Sequence, residues 1–186
     1  MKRVDENPPS RFPDKPIQEA TDLWWIAKVK PRQEKAIAFD FIEAGIEYYL
    51  PMFTKVVRRK DNNKPRKSVL PLFPGYISFC APKGQQTQVF ATGRVVNLVE
   101  IRHQRRFIDE LDQVYRTLTS GIPMVPVESF ALGTSVVVKY GPLRGIRGVI
   151  SRVHDSDRLV LSVEGLGRAA MTIDAAMVVR SDEEPD

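Results

Sequence analysis

The sequence is poor in the residues that carry catalytic or metal chemistry. It contains 1 cysteine and 2 histidines among 186 residues. The lone Cys80 excludes an internal disulfide and fits a reducing cytoplasm. His103 stands amid arginines and His154 precedes an aspartate, and neither has a Cys, His or carboxylate partner at metal-ligand spacing. The sequence therefore predicts a protein that is not an enzyme and needs no metal or cofactor.

Long apolar runs are also lacking. No run approaches the roughly 18–20 residues that a membrane-spanning helix needs. Met1-Lys2-Arg3 is followed by two acidic residues and two prolines, rather than by the apolar segment of a secretory signal. We therefore expect a cytoplasmic protein without a membrane partner. Hydrophobic residues make up 42% of the chain, which is enough for a buried core.

Positive charge is unevenly distributed along the chain. Residues 22–120 hold 17 Lys and Arg against 10 Asp and Glu, whereas residues 131–186 hold 7 against 8. Basic residues are densest from Lys55 to Lys67, where seven of them surround a single acid, Asp61. The first region is suited to a polyanion and the second is not. Two halves of different charge predict two different partners.

Composition divides the chain into five segments. Residues 1–21 contain four prolines and few large apolar groups, which predicts a disordered leader. Residues 22–120 are expected to form an α+β domain, an antiparallel sheet flanked by helices. Residues 121–131 are aperiodic and are interpreted as a linker. Short strands within residues 132–181 predict a small antiparallel β-barrel, and residues 182–186 form an acidic tail.

Periodicity predicts the main elements of the first domain. A strand is expected from Leu23, followed by a helix that begins at Pro31 and ends before Gly45. The basic stretch around Asp61 is interpreted as a hairpin arm, because Asp-Asn-Asn is typical of a turn. Apolar residues recur at helical spacing across Gln104–Thr119, which predicts an amphipathic helix.

Residues 23–120 resemble the N-terminal domain of the NusG family of transcription elongation factors. The resemblance is carried by Trp24-Trp25-Ile26-Ala27, Pro51-Met52 and above all Leu72-Phe73-Pro74-Gly75-Tyr76-Ile77. Residues 132–180 resemble the family's C-terminal KOW barrel, of SH3-like type, through the glycine-rich run from Gly141 to Val149 and through Leu166-Gly167-Arg168. Both signatures in this order identify the chain as a member of the family. The Pro51-Met52 segment, the basic hairpin and Pro71-Leu72-Phe73-Pro74-Gly75-Tyr76 resemble the specialised antiterminators of the RfaH and LoaP type, and the barrel loops are atypical of the family's general factor.

The resemblance implies a factor that docks on the clamp helices of RNA polymerase and suppresses pausing or termination. Five aromatic and proline residues occupy the polymerase-contacting positions: Trp24, Trp25, Phe73, Pro74 and Tyr76. The same residues also fit an ordinary strand core. Since Trp24 and Trp25 are adjacent on a strand, we expect one to face inward and the other outward.

Three basic groups are candidates for contact with DNA of the elongation complex. They are Lys28, Lys30, Arg32 and Lys35 near the first helix, Arg58, Arg59 and Lys60 on the arm, and Arg105 and Arg106 at the start of the second helix. Each group also fits a solvated surface. A genuine contact would weaken with salt, because each neutralised phosphate releases counterions.

The KOW resemblance implies that the barrel recruits a second partner, either Rho or a small-subunit ribosomal protein. The matching positions are Leu143, Ile146, Leu166 and Arg168, although the apolar ones also fit barrel core. Valine runs in this region favour strands, so we predict a barrel that does not refold into helices. The protein is expected to be a monomer. The alternative from another class is a ribosome-associated KOW protein that binds rRNA.

Overall fold

The computed structural model describes residues 7–58, 64–126, 133–153, 156–174 and 177–181. The chain forms two compact units, Met1–Arg102 and His103–Asp186. Both contain antiparallel sheet and a helix, which confirms the predicted α+β class. The division lies before the second helix, so that this helix groups with the C-terminal strands. The domain boundary predicted at residue 120 stays a prediction.

In its described residues, 7–58 and 64–102, the N-terminal unit contains seven strands and one α-helix. The strands are β1 (Arg11–Phe12), β2 (Leu23–Val29), β3 (Tyr48–Tyr49), β4 (Met52–Arg58), β5 (Pro65–Pro71), β6 (Tyr76–Ala81) and β7 (Val95–Glu100). Five of them form an antiparallel sheet in the order β1-β3-β6-β2-β7, and β4 pairs with β5 as a separate two-stranded ribbon. Helix α1 covers Glu34–Ala44, and short 3₁₀ helices cover Ile17–Glu19 and Gln86–Thr92.

The core of this unit lies between α1 and one face of the sheet. Alternate residues of β2 and β6 face α1, as a strand's period of two requires. They pack with apolar helix residues: Trp25, Ala27, Val29, Ile77, Phe79, Ile37, Ala38 and Phe41. Trp24 points to the other face but is only 1% exposed, and Trp25 is 8% exposed. The expectation that one tryptophan faces outward is wrong, because both sheet faces are covered.

The predicted disordered leader is wrong for residues 7–21. β1 pairs with β3, and the hydroxyl of Tyr48 donates to the Pro9 carbonyl at 2.8 Å. Ile17 is 3% exposed, and Lys15 forms a 2.9 Å ion pair with Glu47. These contacts order a proline-rich segment that has little core-forming capacity of its own. Residues 1–6 lie outside the described residues.

Helix α1 begins three residues later than predicted. Pro31 and Arg32 lie in a turn, where the Gln33 amide donates to the Lys30 carbonyl at 3.1 Å. The predicted end is confirmed, because Gly45 caps the helix with φ +68° in the left-handed region that favours glycine. The arm is a paired ribbon, as the hairpin interpretation required, although its turn lies outside the described residues.

The described part of the C-terminal unit combines one α-helix with six strands. They are α2 (Gln104–Thr119), β8 (Met124–Pro126), β9 (Thr134–Val138), β10 (Arg147–Val153), β11 (Ser156–Val163), β12 (Gly167–Thr172) and β13 (Val178–Arg180). The strands form one antiparallel sheet in the order β13-β9-β10-β11-β12-β8. The bounds of α2 match those predicted, and its buried residues are Phe107, Leu111, Val114 and Thr117.

The predicted linker is wrong for residues 124–126. These residues form β8, which pairs with β12 at the edge of the C-terminal sheet. Met124 is 2% exposed, so the segment contributes to the core of this unit. The two prolines were interpreted as signs of a linker, but Pro126 sits at the end of an edge strand, where a missing N–H is tolerated. Residues 127–132 lie outside the described residues.

Candidate functional site

The turn between β5 and β6 is fixed to its surroundings through the backbone of Gly75. The Gly75 amide donates to Oε1 of Glu34 at 2.7 Å, and its carbonyl accepts from the Val29 amide at 2.8 Å. Glu34 lies in the first turn of α1 and is 7% exposed. Gly75 has φ +85°, which side-chain-bearing residues rarely adopt. The turn is therefore tied both to the end of β2 and to the start of α1.

This arrangement sorts the five predicted polymerase-contacting residues into two sets. Trp24, Trp25 and Phe73 are buried, and Nε1 of Trp25 donates to the Ala81 carbonyl at 3.1 Å. Pro74 is exposed and Tyr76 is half-buried. The core interpretation holds for the first set. The surface offered by the turn consists of Pro74 and Tyr76 on a rigid base.

Glu34 positions this turn and was missed by sequence reasoning. The carboxylate of Glu34 accepts a hydrogen bond from an amide 41 positions later in the chain, so no local pattern reveals the contact. The available signal was an acidic residue in the first turn of a predicted helix, where its negative charge interacts favourably with the helix dipole. We name the unit of Glu34 with residues 73–76 the docking turn.

Three of the four basic residues near α1 are exposed. Lys28 is the second-last residue of β2, and Lys30 donates through Nζ to the Gly93 carbonyl at 2.8 Å. Arg32 is held at φ +62°, in the left-handed region that non-glycine residues rarely occupy. These three cations therefore surround the entry to α1 and are accessible to an anionic partner.

Lys35 has a different role from its neighbours. Its ammonium donates to the Val69 carbonyl at 2.6 Å and to Oδ1 of Asn7 at 2.7 Å. Partial burial lowers the pKa of Lys35, against the opposing effect of Glu34. These contacts tie α1 to the base of the ribbon and to the N-terminal segment, which favours a structural role.

The remaining predicted nucleic-acid contacts lie on the ribbon and on α2. Arg58 is exposed at the end of β4, whereas Arg59 and Lys60 lie outside the described residues. Arg105 is exposed in the first turn of α2. Arg106 forms a 2.8 Å ion pair with Glu110, and the hydrogen bond to that carboxylate raises the pKa of Arg106.

One side of α2 is hydrogen-bonded to two loops of the C-terminal sheet. Oε2 of Glu110 accepts from the Glu164 amide, and Oε1 of Gln113 accepts from the Arg147 amide, both at 2.7 Å. One turn further on, Nη2 of Arg116 donates to the Arg144 carbonyl at 2.7 Å. All three contacts join a helix side chain to a backbone group, which lies in a loop for Glu164 and Arg144 and at the start of β10 for Arg147. Sequence reasoning missed them because they join residues 28 to 54 positions apart.

Of the predicted partner-binding positions, Leu143 and Ile146 lie on the loop before β10, Leu166 lies on the loop before β12, and Arg168 lies in β12. Leu143, Ile146 and Leu166 are 3%, 0% and 7% exposed, whereas Arg168 is exposed. The apolar three therefore serve the core of the C-terminal unit. The surface of the first loop is formed instead by neighbours such as Tyr140, which is 67% exposed.

The described residues contain no grouping of His, Cys, Asp and Glu that could hold a metal ion. Within the same part of the chain, no helix is long and apolar enough to span a membrane. Cys80 is buried, and desolvation raises the pKa of its thiol to about 12. A thiol in that state is a poor nucleophile.

Comparison with known proteins supports the resemblance drawn from the motifs. A family comparison matches residues 22–131 to NusG, described as transcription termination factor nusG. Among solved structures, the MjSpt4:Spt5 complex in conformation B matches with 17% identity, covering 88% of this chain and 100% of that one. Its TM-score is 0.30, so it adds nothing to the fold described above. Comparison with curated protein sequences gives no match.

The family match covers more than half of the 186 residues and contains the docking turn. It also contains the strand with the paired tryptophans, now seen as core. The chain therefore belongs to the NusG family, whose members are non-enzymatic factors of transcription elongation.

Proposed function

We propose that this protein docks on the clamp helices of RNA polymerase through its docking turn and suppresses pausing or termination. The observation that carries the proposal is the construction of the turn. Buried Phe73 and Glu34 hold the backbone, while Pro74 and half-buried Tyr76 are presented at the surface. Rigid aromatic and proline groups give contact area at low entropic cost, which is typical of interface hot spots.

The C-terminal unit supplies the second half of the proposed function. We place a second contact, with Rho or a small-subunit ribosomal protein, on its KOW-like loops and the start of β12, where Tyr140, Arg144 and Arg168 are exposed. The specialised antiterminators are the favoured subtype because of the basic ribbon. In this proposal the protein is a cytoplasmic monomer that contacts DNA with Lys28, Lys30 and Arg32 and with the exposed cations of its ribbon.

Co-elution of the full chain with purified bacterial RNA polymerase tests the docking. The variant Pro74→Ala/Tyr76→Ala removes the presented groups and leaves buried Phe73 in place. A matched control is Tyr140→Ala/Pro142→Ala, which removes the same two residue types from an exposed loop of the other unit. We expect the wild type and the control to co-elute and the docking-turn variant to be lost. Equal retention of all three would refute docking through this turn.

The rival function is a ribosomal protein whose KOW unit packs on rRNA. Against it, residues 131–186 carry 7 basic and 8 acidic residues, whereas rRNA binding relies on an excess of positive charge. The full chain sedimenting with ribosomes, with no retention on polymerase, would favour this rival.

A further inference from the structure

The ribbon formed by β4 and β5 carries charge of one sign. Its two strands include four cations and no acid: Lys55, Arg58, Arg66 and Lys67. Asp61 is the only acidic residue between Glu47 and Glu100. The ribbon and the strands that follow it therefore form a long stretch with almost no negative charge.

The strand register places cations on both faces of the ribbon. Val57 pairs with Arg66 and Val56 pairs with Lys67. Since paired residues share a face and successive residues alternate, one face carries Lys55 and Arg66. The opposite face carries Arg58 and Lys67. We call these the Lys55 face and the Arg58 face.

Both faces are open to solvent in the outer half of the ribbon. The four cations are exposed, and so are the two valines between them, with Val56 at 56% and Val57 at 51%. Val56 belongs to the Arg58 face and Val57 to the Lys55 face. A flat partner would cover one valine and one pair of cations. Only a partner that surrounds the ribbon contacts both faces.

We propose that the outer half of this ribbon inserts into the major groove of a B-form DNA duplex. That groove is about 12 Å wide and admits a two-stranded β-ribbon, with phosphates along both walls. Each wall would meet one cationic face, and thymine methyl groups offer apolar contacts to the valines. The major groove of A-form RNA is too narrow for side chains to read, and a single strand has no walls. The proposal rests on the proposed function in one respect, namely that a transcription complex supplies the duplex.

The test compares two variants, one for each face of the ribbon, that each lose two positive charges. Full-length Lys55→Gln/Arg66→Gln and Arg58→Gln/Lys67→Gln are titrated with DNA duplex of about 20 base pairs at 50 and 200 mM salt. The control Lys83→Gln/Arg180→Gln removes two exposed cations that are not part of the ribbon. Removing two phosphate contacts lowers the salt slope, the slope of log affinity against log salt concentration, by about 1.8. Between the two salt concentrations, wild-type affinity should therefore fall about tenfold further than the affinity of either face variant.

The expected result is an equal reduction of the salt slope for both face variants and a wild-type slope for the control. A reduction for one face alone would indicate a flat partner and overturn the groove proposal. Equal wild-type affinity for single-stranded DNA, or for an RNA duplex or hairpin, would overturn it as well. The face variants should still co-elute with RNA polymerase, because the ribbon residues lie outside the docking turn. A failure of the groove proposal can therefore be distinguished from a failure of polymerase docking.

Discussion

Glu34 is the residue on which the geometry of the docking turn depends most directly. Its carboxylate accepts the Gly75 amide from a nearly buried position at the start of α1. The change Glu34→Ala removes a hydrogen bond to a charged group, worth about 1.5–3 kcal/mol. It also removes a favourable interaction with the helix N-terminus, worth about 0.3–1 kcal/mol. We therefore expect the N-terminal unit to lose about 2–4 kcal/mol of unfolding free energy.

The measurement is urea unfolding followed by tryptophan fluorescence. The chain has 2 tryptophans, Trp24 and Trp25, and both are buried in the N-terminal unit. The signal therefore reports on that unit alone, without assuming that both units unfold together. With a denaturant slope of about 2 kcal/mol per M, the midpoint should fall by about 1–2 M. The variant Glu34→Gln keeps an acceptor oxygen and should lose about half as much.

The control is Glu19→Ala, which removes an exposed carboxylate from the short 3₁₀ helix Ile17–Glu19 of the same unit. An exposed substitution of this kind is expected to change stability by about 0.5 kcal/mol or less. Coinciding midpoints for Glu34→Ala and Glu19→Ala would refute the role assigned to Glu34. The docking turn would then be held by its other contacts.

Three further predictions concern other parts of the molecule. Burial raises the pKa of Cys80 from 9.0 to about 12, which lowers its thiolate fraction at pH 8 about a thousandfold. Alkylation of Cys80 should therefore be at least that much slower in native protein than in urea. Rapid alkylation of the native protein would contradict the buried position. At Gly148 an added Cβ would lie 2.6 Å from the Val160 carbonyl oxygen. The change Gly148→Ala should therefore destabilise the C-terminal unit by about 1–3 kcal/mol, measured as faster amide hydrogen exchange in β10 and β11. Unchanged exchange would show that the strands accommodate the methyl group without cost. The change Gln113→Ala removes the acceptor of the Arg147 amide and should speed hydrogen exchange of that amide about tenfold. The control is Gln104→Ala in the first turn of α2. Equal exchange rates in both variants would show that α2 does not hold the Arg147 backbone.

Local patterns predicted the elements that depend on local physics. The bounds of α2 follow from its apolar period of about 3.6 residues, and the end of α1 follows from Gly45. Alternation also placed Trp24 and Trp25 on opposite faces of β2. It could not show that both faces are covered, since burial depends on elements far away in sequence.

Contacts between distant residues account for the errors. The N-terminal segment is ordered by β3 and Glu47, more than 30 residues along the chain. Pro126 suggested a linker, yet β8 pairs with β12 over 40 residues later. The contacts of Glu34 with Gly75 and of Gln113 with Arg147 are equally remote. A pattern within one segment carries no information about the partner that the fold brings to it.

The most direct test of the central claim is site-specific photocrosslinking from the docking turn. A photoreactive amino acid replaces Tyr76 in one full-length variant and Tyr140 in another, and each is added to a mixture of purified RNA polymerase and ribosomes. The account predicts that position 76 crosslinks to a polymerase subunit and that position 140 does not. Crosslinks from position 76 to ribosomal components alone would contradict docking on polymerase and support the rival function.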